Sequence, residues 1–111
     1  MGTETVNSGF NAGIIGMASC MPQKILTNFD LEKMVDTTDE WIVQRSGIRE
    51  RRILDKNESV RPLAIKAAKE AITSAGIDPL QIDMIIVTSS TPEYLSPTLS
   101  GTLQFETGAG K

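Results

Sequence analysis

Hydrophobic and polar positions change period several times along this chain, and each change marks an element. From Ala12 the run AGIIGMAS sets Ile14, Ile15 and Met17 among Gly13 and Gly16, which predicts a strand that passes close to other backbone. Pro22 cannot donate to a ladder and closes it. Leu26, Phe29, Leu31, Met34 and Val35 then form the apolar set of a short helix, with Thr27 or Asn28 as N-cap and Asp30 and Glu32 in the first turn, where the helix dipole favours them. Asp36-Thr37-Thr38 interrupts, because such residues hydrogen-bond local backbone and favour turns and caps. A second short helix follows. Thr38 is its N-cap, Asp39 and Glu40 are first-turn acids, Trp41, Ile42 and Val43 supply bulk, Arg45 lies near the C-terminus, and Gly47 fits the left-handed C′ position.

Ile48 to Leu54, IRERRIL, alternates as a charged strand or sheet edge, with Arg49, Arg51 and Ile53 on one face. After the polar turn Asp55 to Glu58, Ser59 opens the clearest helix. Pro62 is tolerated in its first turn, Leu63, Ala64, Ala67, Ala68, Ala71 and Ile72 make a small-residue stripe suited to close packing on a sheet, and Gly76 stops it. Ile82 to Thr88 is continuous and β-branched, as in a parallel strand buried on both faces. Ser89-Ser90-Thr91-Pro92 is then a loop at the end of that strand where open α/β sheets place their sites. Ser96-Pro97 reads as cap and N1 of a last helix through Leu99, Leu103 and Phe105. A strand, helix, strand, helix order calls for further strands around Ile82 to Thr88, so the chain is expected to be part of a larger α/β protein.

Composition narrows the function classes. The 111 residues hold 40% hydrophobic and 23% charged residues, ordinary for one globular domain and unlike disordered or collagenous chains. Eleven basic against fourteen acidic residues give a net charge of −3, which argues against a non-specific nucleic-acid or anionic-membrane binder, since both require a positive field. With one cysteine, Cys20, and no histidine, neither an internal disulfide nor the usual zinc set is available, and a reducing, cytoplasmic setting fits. The longest apolar run, Met84 to Val87, is far short of the ~20 residues of a membrane span. Met1 to Asn11 lacks the charged and apolar regions of a signal peptide.

Read together, TNFDLEKMVDTTDEWIVQRSGIRERRI, the helix ending SAGIDPLQID and the strand MIIVTSSTPEYLSP resemble the N-terminal portion of the 3-oxoacyl-acyl-carrier-protein synthase III (beta-ketoacyl-ACP synthase III) family. The resemblance runs from Ala12 to about Gly110, and Asp36 to Arg51 is its most specific block. It implies an α/β, thiolase-like layered αβαβα fold. Residues 1–11 would be a flexible leader or cloning remnant, and residues 12–111 the N-terminal part of an incomplete first domain. It further implies a cytoplasmic homodimer that condenses acyl-CoA with malonyl carried on acyl carrier protein, releasing carbon dioxide, through an acyl-cysteine assisted by histidine and asparagine. No cofactor or metal is implied; acyl-CoA is a substrate.

By that resemblance the reacting cysteine lies a short way past Lys111 and the histidine and asparagine further on. None of the catalytic residues is then in this stretch, which alone is expected to be inert. Cys20 matches no catalytic position and reads as a small buried core residue. The resemblance assigns coenzyme recognition to Thr37, Trp41 and Arg45: an indole to stack on adenine, a guanidinium beside it and a hydroxyl on the nucleotide. Their i, i+4, i+8 spacing would bring them to one side of a continuous helix. The plain alternative makes Trp41 a packing anchor and Arg45 a C-terminal cap.

Ser96 stands where the family commonly has a phenylalanine that crosses the dimer interface and limits the acyl pocket. It implies either a wider acyl tunnel or a compensating bulky side chain elsewhere. Arg49, Arg51 and Arg52, alternating with Glu50, read first as a salt-bridged or solvated face and second as a dock for acidic carrier protein. Gly108-Ala-Gly-Lys111 is a glycine-rich loop, because Phe105 stands where a phosphate-binding loop needs its first glycine. Two other readings stay open. One is a related thiolase-superfamily enzyme making a quinolone, a polyketide starter or a hydroxymethylglutaryl thioester. The other is a non-catalytic ligand-binding fragment.

Overall fold

The computed structural model describes Gly9 and residues 11–110, so the C-terminal Lys111 and most of the expected leader lie outside the described residues. Along the chain come β1 (Ile25–Thr27), α1 (Asn28–Glu32), α2 (Asp39–Ser46), β2 (Glu50–Arg52), α3 (Val60–Ala75), a 3-10 turn at Pro79–Gln81 and α4 (Leu99–Thr107).

Thr27, of the two candidates, caps α1. Its hydroxyl accepts from the Asp30 N–H at 3.2 Å, while the Asp30 carboxylate accepts from the Thr27 N–H at 3.1 Å and hydroxyl at 2.6 Å, a reciprocal capping box. Those bonds, the hydroxyl first and the N–H second, hold the Asp30 carboxyl below the usual carboxylate range. A carboxylate depressed on folding stabilises the fold at pH values above its unfolded pKa and loses that contribution as pH falls through the folded one. Stability should therefore decline on acidification below about pH 4, and Asp30→Asn should flatten that part of the curve. Denaturant midpoints measured across the acid range check this; an unchanged slope would refute it.

The first helix is shorter than its apolar pattern suggests. Leu26 belongs to β1, and α1 stops at Glu32, leaving Met34 and Val35 68% and 57% exposed. The chain turns there because Glu32, expected in the first turn, instead ends the helix and accepts the Asp39 N–H at 2.6 Å, tying α1 to the start of α2. The charged strand is present: β2 pairs antiparallel with β1, Leu26 opposite Arg51, and the ladder is extended by Ile53 N–H to Lys24 C=O at 3.0 Å.

This two-stranded ribbon is the sheet found among the described residues. The expected strands at Ala12 to Ser19 and Ile82 to Thr88 make no ladder there. Strand backbone is defined by its partners, and neither segment has one. Ile82, Ile85 and Val87 are half-covered while Met84 and Ile86 are 75% and 78% exposed, so the double burial expected of this run is not realised. Cys20 is half-buried, not a core residue.

The close backbone approach, however, is found at Gly16. A Cβ there would lie 2.6 Å from the Ala71 carbonyl oxygen and 2.7 Å from the Ala75 Cβ, so the glycine crosses the alanine stripe of α3. Gly13 meets nothing within 4 Å. Ser59 precedes α3 in extended backbone without a side-chain cap bond, and Gly76 at φ 66° ends it. α3 packs on α4, with Lys69 to Glu106 at 3.6 Å across the seam.

Thr98, not Ser96, caps α4: its hydroxyl accepts from Gly101 N–H at 3.2 Å, which leaves Pro97 outside the helix. Leu103 is the buried side of α4, and Phe105 is 85% exposed. Among the described residues only Asn28, Leu103 and Ala109 are buried. The Cα radius of gyration is 19.6 Å, against about 13 Å for a compact domain of ~100 residues. The elements thus form an open shell and not a closed core.

Candidate functional site

Trp41 and Arg45 sit one turn apart on α2, a helix set by local chemistry at both ends. The Thr38 hydroxyl accepts from Trp41 N–H at 3.1 Å, and Gly47, at φ 71°, donates its N–H to Val43 C=O at 2.8 Å, the left-handed cap that only glycine takes without strain. The Arg45 guanidinium carbon lies 4.8 Å from the Trp41 ring centroid, and the indole is 54% exposed. Exposed cation–π pairs of this kind contribute ~0.5–1 kcal/mol. The indole presents an aromatic face to solvent with a cation alongside.

Thr37 does not join them on a continuous helix. Thr38 takes the capping position, so Thr37 precedes the helix and sits half-buried beside its start. Ser96 is exposed in the loop ahead of α4. Its neighbours Tyr94, Leu95 and Thr98 line an open cavity of ≈ 320 Å³ with Val60 and Arg61 at the start of α3. Arg61 holds that loop: it pairs with Glu93 at 3.8 Å, lies 5.2 Å from the Tyr94 ring centroid and donates to the Thr102 hydroxyl.

Sequence reasoning missed the residue that supports α2. Asn28 is completely buried. Its amide donates to Asp39 Oδ1 at 2.8 Å and to Ile48 C=O at 2.7 Å, and its carbonyl oxygen accepts from Arg51 Nη2 at 2.8 Å. Arg51 thus turns inward, against the solvated reading, while Arg49 and Arg52 are exposed as expected; the Arg51 Nη1 is buried without a partner among the described residues. Arg52 donates to Pro22 and Gln23 carbonyls at 3.4 and 3.2 Å, and none of Arg49, Arg51 and Arg52 forms an ion pair among the described residues. Among those residues no helix is long and apolar enough to cross a membrane, and no trio of His, Cys, Asp or Glu is placed to hold a metal ion.

An open α/β shell with an exposed aromatic–cation pair is part of a thiolase-like fold. Its backbone superposes on 3-oxoacyl-[acyl-carrier-protein] synthase III from Aquifex aeolicus with a TM-score of 0.75 at 45% identity, over 86% of this chain and 31% of that one. The priming beta-ketosynthase of the R1128 polyketide pathway gives the same TM-score at 34% identity, over 86% and 29%. In sequence, the chain is 51% identical over 98 residues to the beta-ketoacyl-[acyl-carrier-protein] synthase III of Caldanaerobacter subterraneus subsp. tengcongensis, covering 88% of this chain and 30% of the relative. Over that stretch its sequence is similar to the N-terminal part of beta-ketoacyl-[acyl-carrier-protein] synthase III. No family model matches the chain, and it spans just under a third of the length of such relatives.

Proposed function

We propose that this chain works within a longer condensing enzyme that starts fatty-acid synthesis, and that α2 recognises the nucleotide end of acyl-coenzyme A. The observation that carries the reading is the 51% identity to a beta-ketoacyl-[acyl-carrier-protein] synthase III across the block that holds Trp41 and Arg45. In the proposed reaction a cysteine thiolate beyond this stretch attacks the thioester carbonyl, and coenzyme A leaves as its thiol. Malonyl-acyl-carrier protein then loses carbon dioxide, its enolate carbon attacks the acyl-cysteine, and the thiolate departs. The segment described here supplies recognition and not the reacting groups. The exposed indole offers a stacking face for adenine, Arg45 offers charge to phosphate, and half-buried Thr37 offers a hydroxyl at the helix start. The assembled enzyme is proposed to be a cytoplasmic homodimer that uses no cofactor.

Labelled acyl-coenzyme A should become covalently attached to the full-length protein at neutral pH and be discharged by malonyl-acyl-carrier protein. No attachment with any of several chain lengths would remove the reading. The likeness to a polyketide-priming ketosynthase and the small side chain at Ser96 favour a second reading, a related enzyme loading an unusual starter into a wider acyl tunnel. Product analysis with malonyl-acyl-carrier protein against malonyl-coenzyme A, across acyl chain lengths, separates the two.

A further inference from the structure

We propose that Asn28 is the positioning residue of the coenzyme face, acting as a single amide clamp on both ends of α2. The inference rests on the coenzyme reading above and adds the device that holds its recognition helix. Ile42 and Val43 are half-buried and no side chain of α2 is fully buried, so apolar packing is not the whole of what fixes where Trp41 and Arg45 point. Both ends of the helix also share a polar tie. Asp39, its first residue, and Ile48, just beyond its Gly47 cap, both accept from the one Asn28 Nδ2, at 2.8 and 2.7 Å.

The opposite edge of the same amide accepts from Arg51 on β2, and the Asn28 backbone N–H donates to Arg49 C=O at 3.2 Å. Only a carboxamide offers donors on one side and an acceptor on the other in this geometry; a carboxylate would face Asp39 with no proton to give. Complete burial excludes water as a substitute partner, so loss of one arm leaves groups unpaired. The ribbon, α1 and α2 are thereby locked to each other through one side chain.

The test compares two substrates of the full-length protein, acetyl-coenzyme A and acetyl-pantetheine, which share the thioester but differ in the nucleotide. Asn28→Asp should raise KM for acetyl-coenzyme A about tenfold more than KM for acetyl-pantetheine, the scale of one coupled contact, with a much smaller change in kcat. Adding Asp39→Asn, which returns an amide donor to the pair, should recover part of the difference. Equal losses on both substrates, or no loss, would overturn the proposal. If Asn28→Asp does not fold, Asp39→Ala opens the clamp from its half-buried end, and the same contrast between substrates decides. Trp41→Ala run alongside separates the layers. If it shows no contrast, the coenzyme reading fails; if it shows the contrast and the clamp variants do not, this inference alone fails.

Discussion

Gly16→Ala is expected to destabilise the full-length protein by about 1–3 kcal/mol or more, the cost of forcing extra carbon into a packed seam. The new methyl would stand 2.6 Å from the Ala71 oxygen, 2.8 Å from the Ala75 nitrogen and 2.7 Å from the Ala75 Cβ. Two of these are backbone atoms of α3, so no rotamer change relieves them. Either the segment from Ala12 to Cys20 lifts off the helix or the helix bends. Ala75→Gly, combined with it, removes one of the three contacts and should restore only part of the loss. Gly13→Ala serves as the control, since its Cβ meets nothing within 4 Å. Equal denaturation midpoints for the Gly13 and Gly16 variants would show that the segment does not lie on α3.

Trp41→Ala should weaken binding of coenzyme A to the full-length protein by roughly 1–3 kcal/mol, the range measured when one aromatic stacking partner of a base is removed. Stability should change little, because the indole is 54% exposed and its helix buries no side chain. That combination separates recognition from packing. A folded variant with unchanged affinity would dismiss the stacking role, whereas a large drop in melting temperature would mean that the indole is covered in the complete protein. Arg45→Ala should lose less, since the guanidinium lies beside the ring at 4.8 Å and supplies an exposed, salt-screened charge.

The parts of this structure that were legible in the sequence are those set by short-range chemistry. Thr38 and Gly47 announce the ends of α2 because a capping hydroxyl and a left-handed glycine act within one turn. Of the two glycines in the apolar run, Gly16 makes the close approach they suggested and Gly13 does not. Thr37 falls outside the helix that its spacing from Trp41 and Arg45 suggested, because the Thr38 cap starts the helix only at Asp39.

What could not be read is what depends on partners distant in sequence. The three side-chain bonds of Asn28 span 11, 20 and 23 residues, and no spacing rule links them. Arg51 looked solvated because its neighbours in sequence are charged, yet across the ribbon it faces Leu26 and the buried amide. The run Ile82 to Thr88 has the composition of a central strand, but composition supplies no ladder, and its role is fixed only by chains laid beside it. Resemblance over the Asp36 to Arg51 block pointed to a family where residue patterns alone pointed to part of a larger α/β protein.

The polar suspension of α2 has a thermal corollary. Apolar burial fades on cooling, and joints built on it loosen first near the freezing point. The crossing of Gly16 over the alanine stripe is such a joint; a helix slung from an asparagine is not. Cooling should therefore loosen the Gly16 crossing more than it loosens the hydrogen bonds from Asn28 to Asp39 and Ile48.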